Sequence, residues 1–290
     1  MKKFKIFGVI ALCLSALFTT VGCDKGKDDQ TVETPIGNVD YAIAVKRVDG
    51  NRVAGVTLSI YDDDELVSTV TTDTLGNATF NLPGKKYKVV LSDYPKGIVP
   101  KNSYTLPAKG GEVVIDVSTK VIEEENPKEK LYKLGDIMYD FTLTDTNGNT
   151  INLVDSLKKY KAFVINFWFI NCGYCRAEFP HLVRAYKDYK EDILLIGYNI
   201  SYDTAEEIND FAIDYYLDFP LIAGLTNEDD LTDENNFAFS KLFGYNAAPK
   251  TVYIDKYGLF SYLTEGAYTS TKEITNLFSW FSNDNYNPAE

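Results

Sequence analysis

Positive charge, histidine and cysteine are all scarce in this chain, and each scarcity narrows what it can do. The 290 residues carry 29 Lys and Arg against 42 Asp and Glu, a formal net charge of -13. Such a field repels a phosphate backbone, and no basic stripe offsets it, which argues against nucleic acid or anionic lipid as the main partner. There is one histidine, His181, and there are four cysteines. A structural zinc site needs four ligands. One C-x-x-C pair, with its nearest histidine six residues further on, does not supply them. On its helix His181 reads as a packing or surface residue. A phosphate-cradling glycine loop, a Ser/His/Asp set, long internal repeats and low-complexity blocks are also missing. Apolar material is plentiful: hydrophobic residues make up 45% and aromatics 14%, enough for packed cores in two ordinary domains or one large one.

At the N-terminus, Lys2, Lys3 and Lys5 precede an apolar run from Ile6 to Phe18, broken only by Gly8 and Ser15. This is the charged-then-apolar layout of an export signal. The run is short for a membrane span, which takes about 20 residues. Val21-Gly22-Cys23 then gives way abruptly to Asp24-Lys25-Gly26-Lys27-Asp28-Asp29. The layout resembles a bacterial lipoprotein signal, although Thr20 stands where that signal carries an aliphatic residue. The resemblance implies a signal over residues 1–22, an acylated Cys23, and an extracytoplasmic chain held to the membrane by lipid. An ordinary secretory signal or an uncleaved anchor is the alternative. With Cys13 removed and Cys23 consumed, the mature chain holds one pair, Cys172 and Cys175.

Residues 23–38 are polar and contain Gly26, Pro35 and Gly37, the composition of a tether. Over residues 39–121, short alternating segments are separated by turn signals such as Asp49-Gly50-Asn51, Leu75-Gly76-Asn77 and Pro83-Gly84. The segments Tyr41 to Val48, Val56 to Tyr61, Leu66 to Thr71, Ala78 to Leu82, Tyr87 to Leu91 and Val113 to Val117 predict a small antiparallel β-sandwich. The run Gly76-Asn77-Ala78-Thr79-Phe80-Asn81-Leu82-Pro83-Gly84-Lys85-Lys86-Tyr87, with Tyr94-Pro95-Lys96-Gly97, resembles the Cna B-type or prealbumin-like modules of bacterial surface proteins. Some of those modules carry an internal Lys–Asn crosslink assisted by a buried acid. Lys46 matches the lysine, but Leu91 stands at the acid's place and Glu112 to Val117 contains no Asn, so no crosslink is expected. A spacer or docking role follows for this domain.

Glu123-Glu124-Glu125-Asn126-Pro127 marks residues 122–130 as a charged linker. Over residues 131–290 strands and helices alternate, which predicts an α/β domain with a central mixed sheet. A hairpin is expected around Asn147-Gly148, strands at Ala162 to Phe169, Ile193 to Ile200, Thr251 to Asp255 and Leu259 to Glu265, and a short apolar segment at Phe219 to Ala223. Helices are expected at Cys175 to Tyr189, Thr204 to Tyr216, near Phe237 to Phe243, and from Thr271 to Trp280, with an acidic loop at Asn227 to Asn235.

The segment Asn166-Phe167-Trp168-Phe169-Ile170-Asn171-Cys172-Gly173-Tyr174-Cys175-Arg176-Ala177-Glu178-Phe179-Pro180 carries the chemistry. A buried strand ending in a tight turn delivers Cys172 to a helix N-terminus. There, unpaired N–H groups and the helix dipole stabilise a thiolate. Cys175 lies one turn further on. Cys172 is expected to attack a disulfide and Cys175 to resolve the mixed disulfide.

This region resembles the thioredoxin superfamily, in particular the TlpA-like exported thiol–disulfide oxidoreductases. The matching elements are Asn-Phe-Trp before the pair, Arg-Ala-Glu-Phe-Pro after it, and Ala248-Pro249 before the strand at Thr251. The resemblance implies no cofactor beyond the redox disulfide. It also implies client proteins with thiols or disulfides as partners, and a membrane redox donor. In these proteins the matching proline is cis and its neighbours pair with substrate backbone, so Ala248 and Pro249 are expected to bind substrate, together with Gly173 and Tyr174. Thioredoxin's buried Asp is here Asn166, which does not titrate. Glu178 matches the glutamate of the TlpA-like proteins and is expected, part-buried beside Cys175, to shuttle its proton. Asn171 stands in place of the usual Trp, and Tyr174 in place of the usual proline. A peroxiredoxin would carry Thr where Phe169 stands. Reduction of client disulfides is the expected activity; an isomerase, a peroxiredoxin-like enzyme and a surface interaction protein acting through the sandwich are the alternatives.

Overall fold

The computed structural model describes residues 37–125, 130–224, 239–244 and 247–289. The expected signal, Cys23, nearly all of the tether, residues 126–129 of the linker, the acidic loop and the start of the short helix near Phe237 lie outside the described residues.

Eight strands build the first domain: β1 (Asn38–Arg47), β2 (Thr57–Asp62), β3 (Glu65–Thr71), β4 (Asn77–Pro83), β5 (Tyr87–Asp93), β6 (Ile98–Val99), β7 (Tyr104–Leu106) and β8 (Gly111–Thr119). They form two four-stranded sheets, in the orders β4-β1-β8-β6 and β3-β2-β5-β7. Alternation drives the packing: Tyr41, Ile43 and Val45 of β1 point inward, against Leu58, Ile60, Val89, Leu91, Ile115 and Val117. This is a β-sandwich, but it is not purely antiparallel. β1 and β8 run parallel, with Tyr41 opposite Gly111 and Lys46 opposite Asp116. Parallel neighbours need a long connection, and here the whole domain intervenes between the two strands. Lys46 sits one residue out of step with the inward-facing Tyr41, Ile43 and Val45, on the outer face of β1.

Residues 122–125, expected to open the linker, instead form β9 (Ile122–Glu125), which pairs in parallel with β10 (Tyr139–Asp140). The hairpin around Asn147-Gly148 joins β11 (Thr142–Thr144) to β12 (Thr150–Asn152), which leads into the short helix α1 (Leu153–Leu157).

The central sheet has the order β15-β14-β13-β16-β17. Its strands are β13 (Ala162–Trp168), β14 (Ile193–Asn199), β15 (Leu221–Ala223), β16 (Lys250–Asp255) and β17 (Phe260–Glu265). β13 is parallel to β14 and antiparallel to β16, so the sheet is mixed. All seven residues of β13 are buried, as expected of a central strand covered on both faces. On one face lie α2 (Gly173–Tyr186), α3 (Ala205–Tyr215) and α4 (Thr271–Ser282), packed through Phe179, Phe211, Ile274 and Phe278. Capping boxes start two of them, Thr204 with Glu207 on α3 and Ser270 with Glu273 on α4. On the other face Met138, Leu153, Phe163, Phe167 and Phe243 form a second core.

The two domains share packing. Ile137 and Leu259 of the α/β domain belong to the sandwich's core cluster, and they pair with each other across an isolated bridge. Gly258, at φ +73°, lets the turn after β16 approach Val121 so closely that a Cβ there would lie 2.6 Å from the Val121 nitrogen. Arg47 donates to the Gly135 carbonyl at 2.6 Å and pairs with Asp49, while the Thr119 hydroxyl donates to the Tyr257 carbonyl at 3.0 Å.

Candidate active site

Cys172 is the N-cap of α2, so the helix begins one residue after it and not at Cys175 as the sequence pattern suggested. Its backbone is extended and its Sγ accepts the Cys175 N–H at 3.1 Å. This is the position where orphan amides and the helix dipole favour negative charge on sulfur. Cys172 and Cys175 are joined as a disulfide, with Cα atoms 5.2 Å apart. Cys172 is 3% exposed and Cys175 fully buried, so an incoming group meets Cys172 first. Gly173 and Tyr174 between them are exposed, the tyrosine at 75%.

The turn that carries Cys172 is held from a neighbouring loop. The Asp203 carboxylate accepts the Ile170 N–H at 3.0 Å and the Asn199 side-chain amide at 2.8 Å. On α2, Arg176 donates to the Tyr215 hydroxyl at 2.6 Å and lies over its ring, tying the first turn of the helix to α3.

Further along α2 lies a buried polar cluster. Glu178, three residues past Cys175 on the same helix face, is fully buried, deeper than the part-burial expected from the sequence. Its Oε1 accepts the Asn166 amide at 2.8 Å, and its Oε2 accepts the Tyr268 N–H at 3.0 Å. Burial pushes its carboxyl up to about 7, against the lowering effect of those two donors. The Tyr268 hydroxyl contacts the Tyr253 hydroxyl at 2.6 Å and Thr264 at 2.7 Å. Burial raises both phenols, Tyr268 to about 12, so neither ionises near neutrality.

The Ala248–Pro249 peptide bond is cis, and Ala248 packs against the cluster that contains both cysteines. The following residue, Lys250, is 3% exposed; its ammonium donates to the Gly244 carbonyl at 3.0 Å and pairs with Glu265 at 3.2 Å. His181, set aside at the sequence level, contacts the Thr271 hydroxyl at 3.1 Å, joining α2 to α4.

A helix-capping cysteine, a disulfide-bonded second cysteine one turn on, and a buried acid a further turn along the same helix, after the central strand of a mixed sheet, make a dithiol redox centre. The domain is a thioredoxin-fold oxidoreductase. Residues 134–262 of this oxidoreductase match the AhpC/TSA family, and residues 41–121 match a prealbumin-like fold domain. The chain is similar to the thiol-disulfide oxidoreductase ResA of Oceanobacillus iheyensis, at 28% identity over 54% of this chain and 78% of that protein. It is also similar to ResA of Bacillus subtilis, at 32% identity over 29% of this chain and 45% of that protein. Among solved structures, the thioredoxin domain of a thiol-disulfide oxidoreductase from Bacteroides vulgatus is similar at 20% identity and a TM-score of 0.41, covering 52% of this chain and 99% of that one.

Asp203, Lys250 and the Tyr268 N–H were not singled out from the sequence. Asp203 and Lys250 look like ordinary surface charges there, and Tyr268 contributes through its backbone, which no side-chain pattern reveals.

Proposed function

We propose that this chain is a lipid-anchored, extracytoplasmic thiol–disulfide oxidoreductase that reduces disulfides of client proteins. The observation that carries the reading is the pairing of an N-capping Cys172 with a fully buried Glu178 whose carboxyl is lifted to about 7. A group with that affinity can take and return a proton at working pH. The names of the relatives support thiol–disulfide exchange. The Lys2-to-Cys23 pattern supports export and acylation.

In the reduced protein the Cys172 thiolate attacks a client disulfide, forming a mixed disulfide and releasing one client thiolate. Cys175 gives its proton to Glu178 and attacks Cys172 Sγ. The second client sulfur leaves, and the Cys172–Cys175 disulfide forms. Two electrons pass to the client. An external dithiol, in the membrane or at its surface, restores the reduced pair by the reverse steps. Gly173 and Tyr174, exposed between the two cysteines, and Ala248 and Pro249, at the cis peptide bond, are assigned to client binding on the strength of the family resemblance.

Insulin reduction with dithiothreitol as donor tests the exchange. The wild-type chain is expected to accelerate it and Cys172→Ser to be inert. Equal rates for the two would overturn the reading in favour of a binding protein, and a strongly oxidising potential would turn it to an oxidase or isomerase. Lipid attachment is tested by labelled fatty-acid incorporation, expected in the wild type and lost in Cys23→Ala.

A further inference from the structure

Asn166 replaces the titrating residue that a thioredoxin carries at this point of the strand, and its hydrogen bonding is lopsided. The side chain is fully buried. Both amide hydrogens are used, one given to Glu178 Oε1 at 2.8 Å and one to Thr251 Oγ1 at 3.0 Å. Its oxygen, Oδ1, is buried with no partner. An orphaned buried acceptor beside a carboxyl group calls for an explanation.

The arrangement suits an ionised Glu178, which only accepts hydrogen bonds. It does not suit a protonated one, whose O–H needs an acceptor. Tyr268 fixes where that proton must sit. Its N–H occupies Oε2 and cannot receive, so the proton belongs on Oε1, facing Asn166. A half-turn about the Cβ–Cγ bond would exchange the ends of the amide and bring Oδ1 to Oε1. Thr251 tolerates either end, since a hydroxyl accepts from N–H or donates to C=O.

We propose that Asn166 is a reversible partner for Glu178, donating through Nδ2 when the carboxyl is ionised and accepting through Oδ1, after a half-turn, when it is protonated. This makes Asn166 a positioning residue. It keeps Glu178 hydrogen-bonded in both proton states without adding a second charge to the core. The inference rests on the reading of Glu178 as the proton acceptor for Cys175. The titratable groups facing Glu178 are Tyr253 on β16, Tyr268 ahead of α4 and, on its own helix, Cys175. Both phenols are held above their ordinary range, and Cys175 does not titrate in the disulfide form.

The test is an NMR titration of the oxidised full-length protein, with labelled Glu carboxyl carbons and labelled Asn side-chain amides. The Asn166 amide resonances are expected to move with the same midpoint as Glu178 and to stop moving in Glu178→Gln. Contacts from the amide hydrogens to Thr251 are expected above the midpoint and to be lost below it. Asn166→Asp is expected to raise the Glu178 midpoint at least about tenfold in proton affinity, because two carboxyls then share one proton. Amide resonances and Thr251 contacts unchanged through the Glu178 transition would overturn the proposal, as would an unmoved midpoint in Asn166→Asp. If the amide follows Glu178 but Glu178→Gln reduces insulin at the wild-type rate, the proton-acceptor reading fails and the amide exchange stands.

Discussion

Glu178 and Asn166 meet at 2.8 Å with neither side chain in contact with solvent. A helix from one side of the active-site turn and the strand leading into that turn are therefore joined by a bond whose character depends on one proton. That proton gives the domain a measurable signature in its stability.

The folded-state affinity of Glu178 is raised from an ordinary 4.5 to about 7. Between those values the folded protein binds more protons than the unfolded chain, so stability falls as the pH rises. The contribution of the neutral carboxyl is fully present below about pH 4.5 and lost as the pH passes 7. Its size is about 3 kcal/mol. Glu178→Gln in the oxidised protein is expected to lack this slope, so that its stability relative to wild type improves by about that amount between pH 4.5 and pH 8. Urea unfolding of both proteins at the two pH values measures it. A constant difference between them would contradict the burial of an ionisable group here.

Cys175 is fully buried and Cys172 stands at the surface end of the pair. Cys175→Ser is expected to retain attack on a client disulfide but not its resolution. Mixed disulfides with insulin chains should accumulate on non-reducing gels and disappear with added thiol, whereas Cys172→Ser should form none. Adducts on Cys172→Ser instead would reverse the assigned roles.

Asp203 accepts the N–H of Ile170, two residues before Cys172. Asp203→Ala leaves that amide without its partner and should lower stability by about 1–3 kcal/mol. It should also slow insulin reduction more than Asp203→Asn, which keeps an acceptor oxygen. Identical rates for the two variants would show that the turn holds its shape without this bond.

Leu259 is 1% exposed and belongs to the sandwich's core cluster although it follows β16 of the other domain. Leu259→Ala is expected to cost about 2–5 kcal/mol and to destabilise both domains together. Tryptophan fluorescence reports the α/β domain, since Trp168 and Trp280 both lie there, and a tyrosine label in the sandwich reports the other. Coincident transitions are expected, and two separated ones would show that the shared packing is incidental. Gly258→Ala adds strain at φ +73° and a clash with Val121, and should destabilise by about 1–3 kcal/mol or more.

The sequence discloses what is local. The all-apolar run of β13, the spacing of Cys172 and Cys175 and the alternation in β1 each follow from a few consecutive residues, so strand, turn and sandwich are legible. Non-local pairings are not. Nothing near Tyr41 announces that its parallel neighbour is Gly111, and Ile122 reads as the edge of a charged linker until Tyr139 is seen beside it. The depth of Glu178 is illegible for the same reason: the residues around it, Asn166, Tyr253 and Tyr268, come from distant parts of the chain. Charges such as Asp203 and Lys250 acquire their roles by bonding to backbone, and backbone atoms carry no sequence signal.

Ile137 and Leu259 close the interior of the sandwich from outside its own strands. The residues after β16, which leads away from the redox site, are therefore also part of the sandwich's interior. Water admitted at that seam would reach the interior of both folds at once, so neither core is sealed by its own chain segment alone.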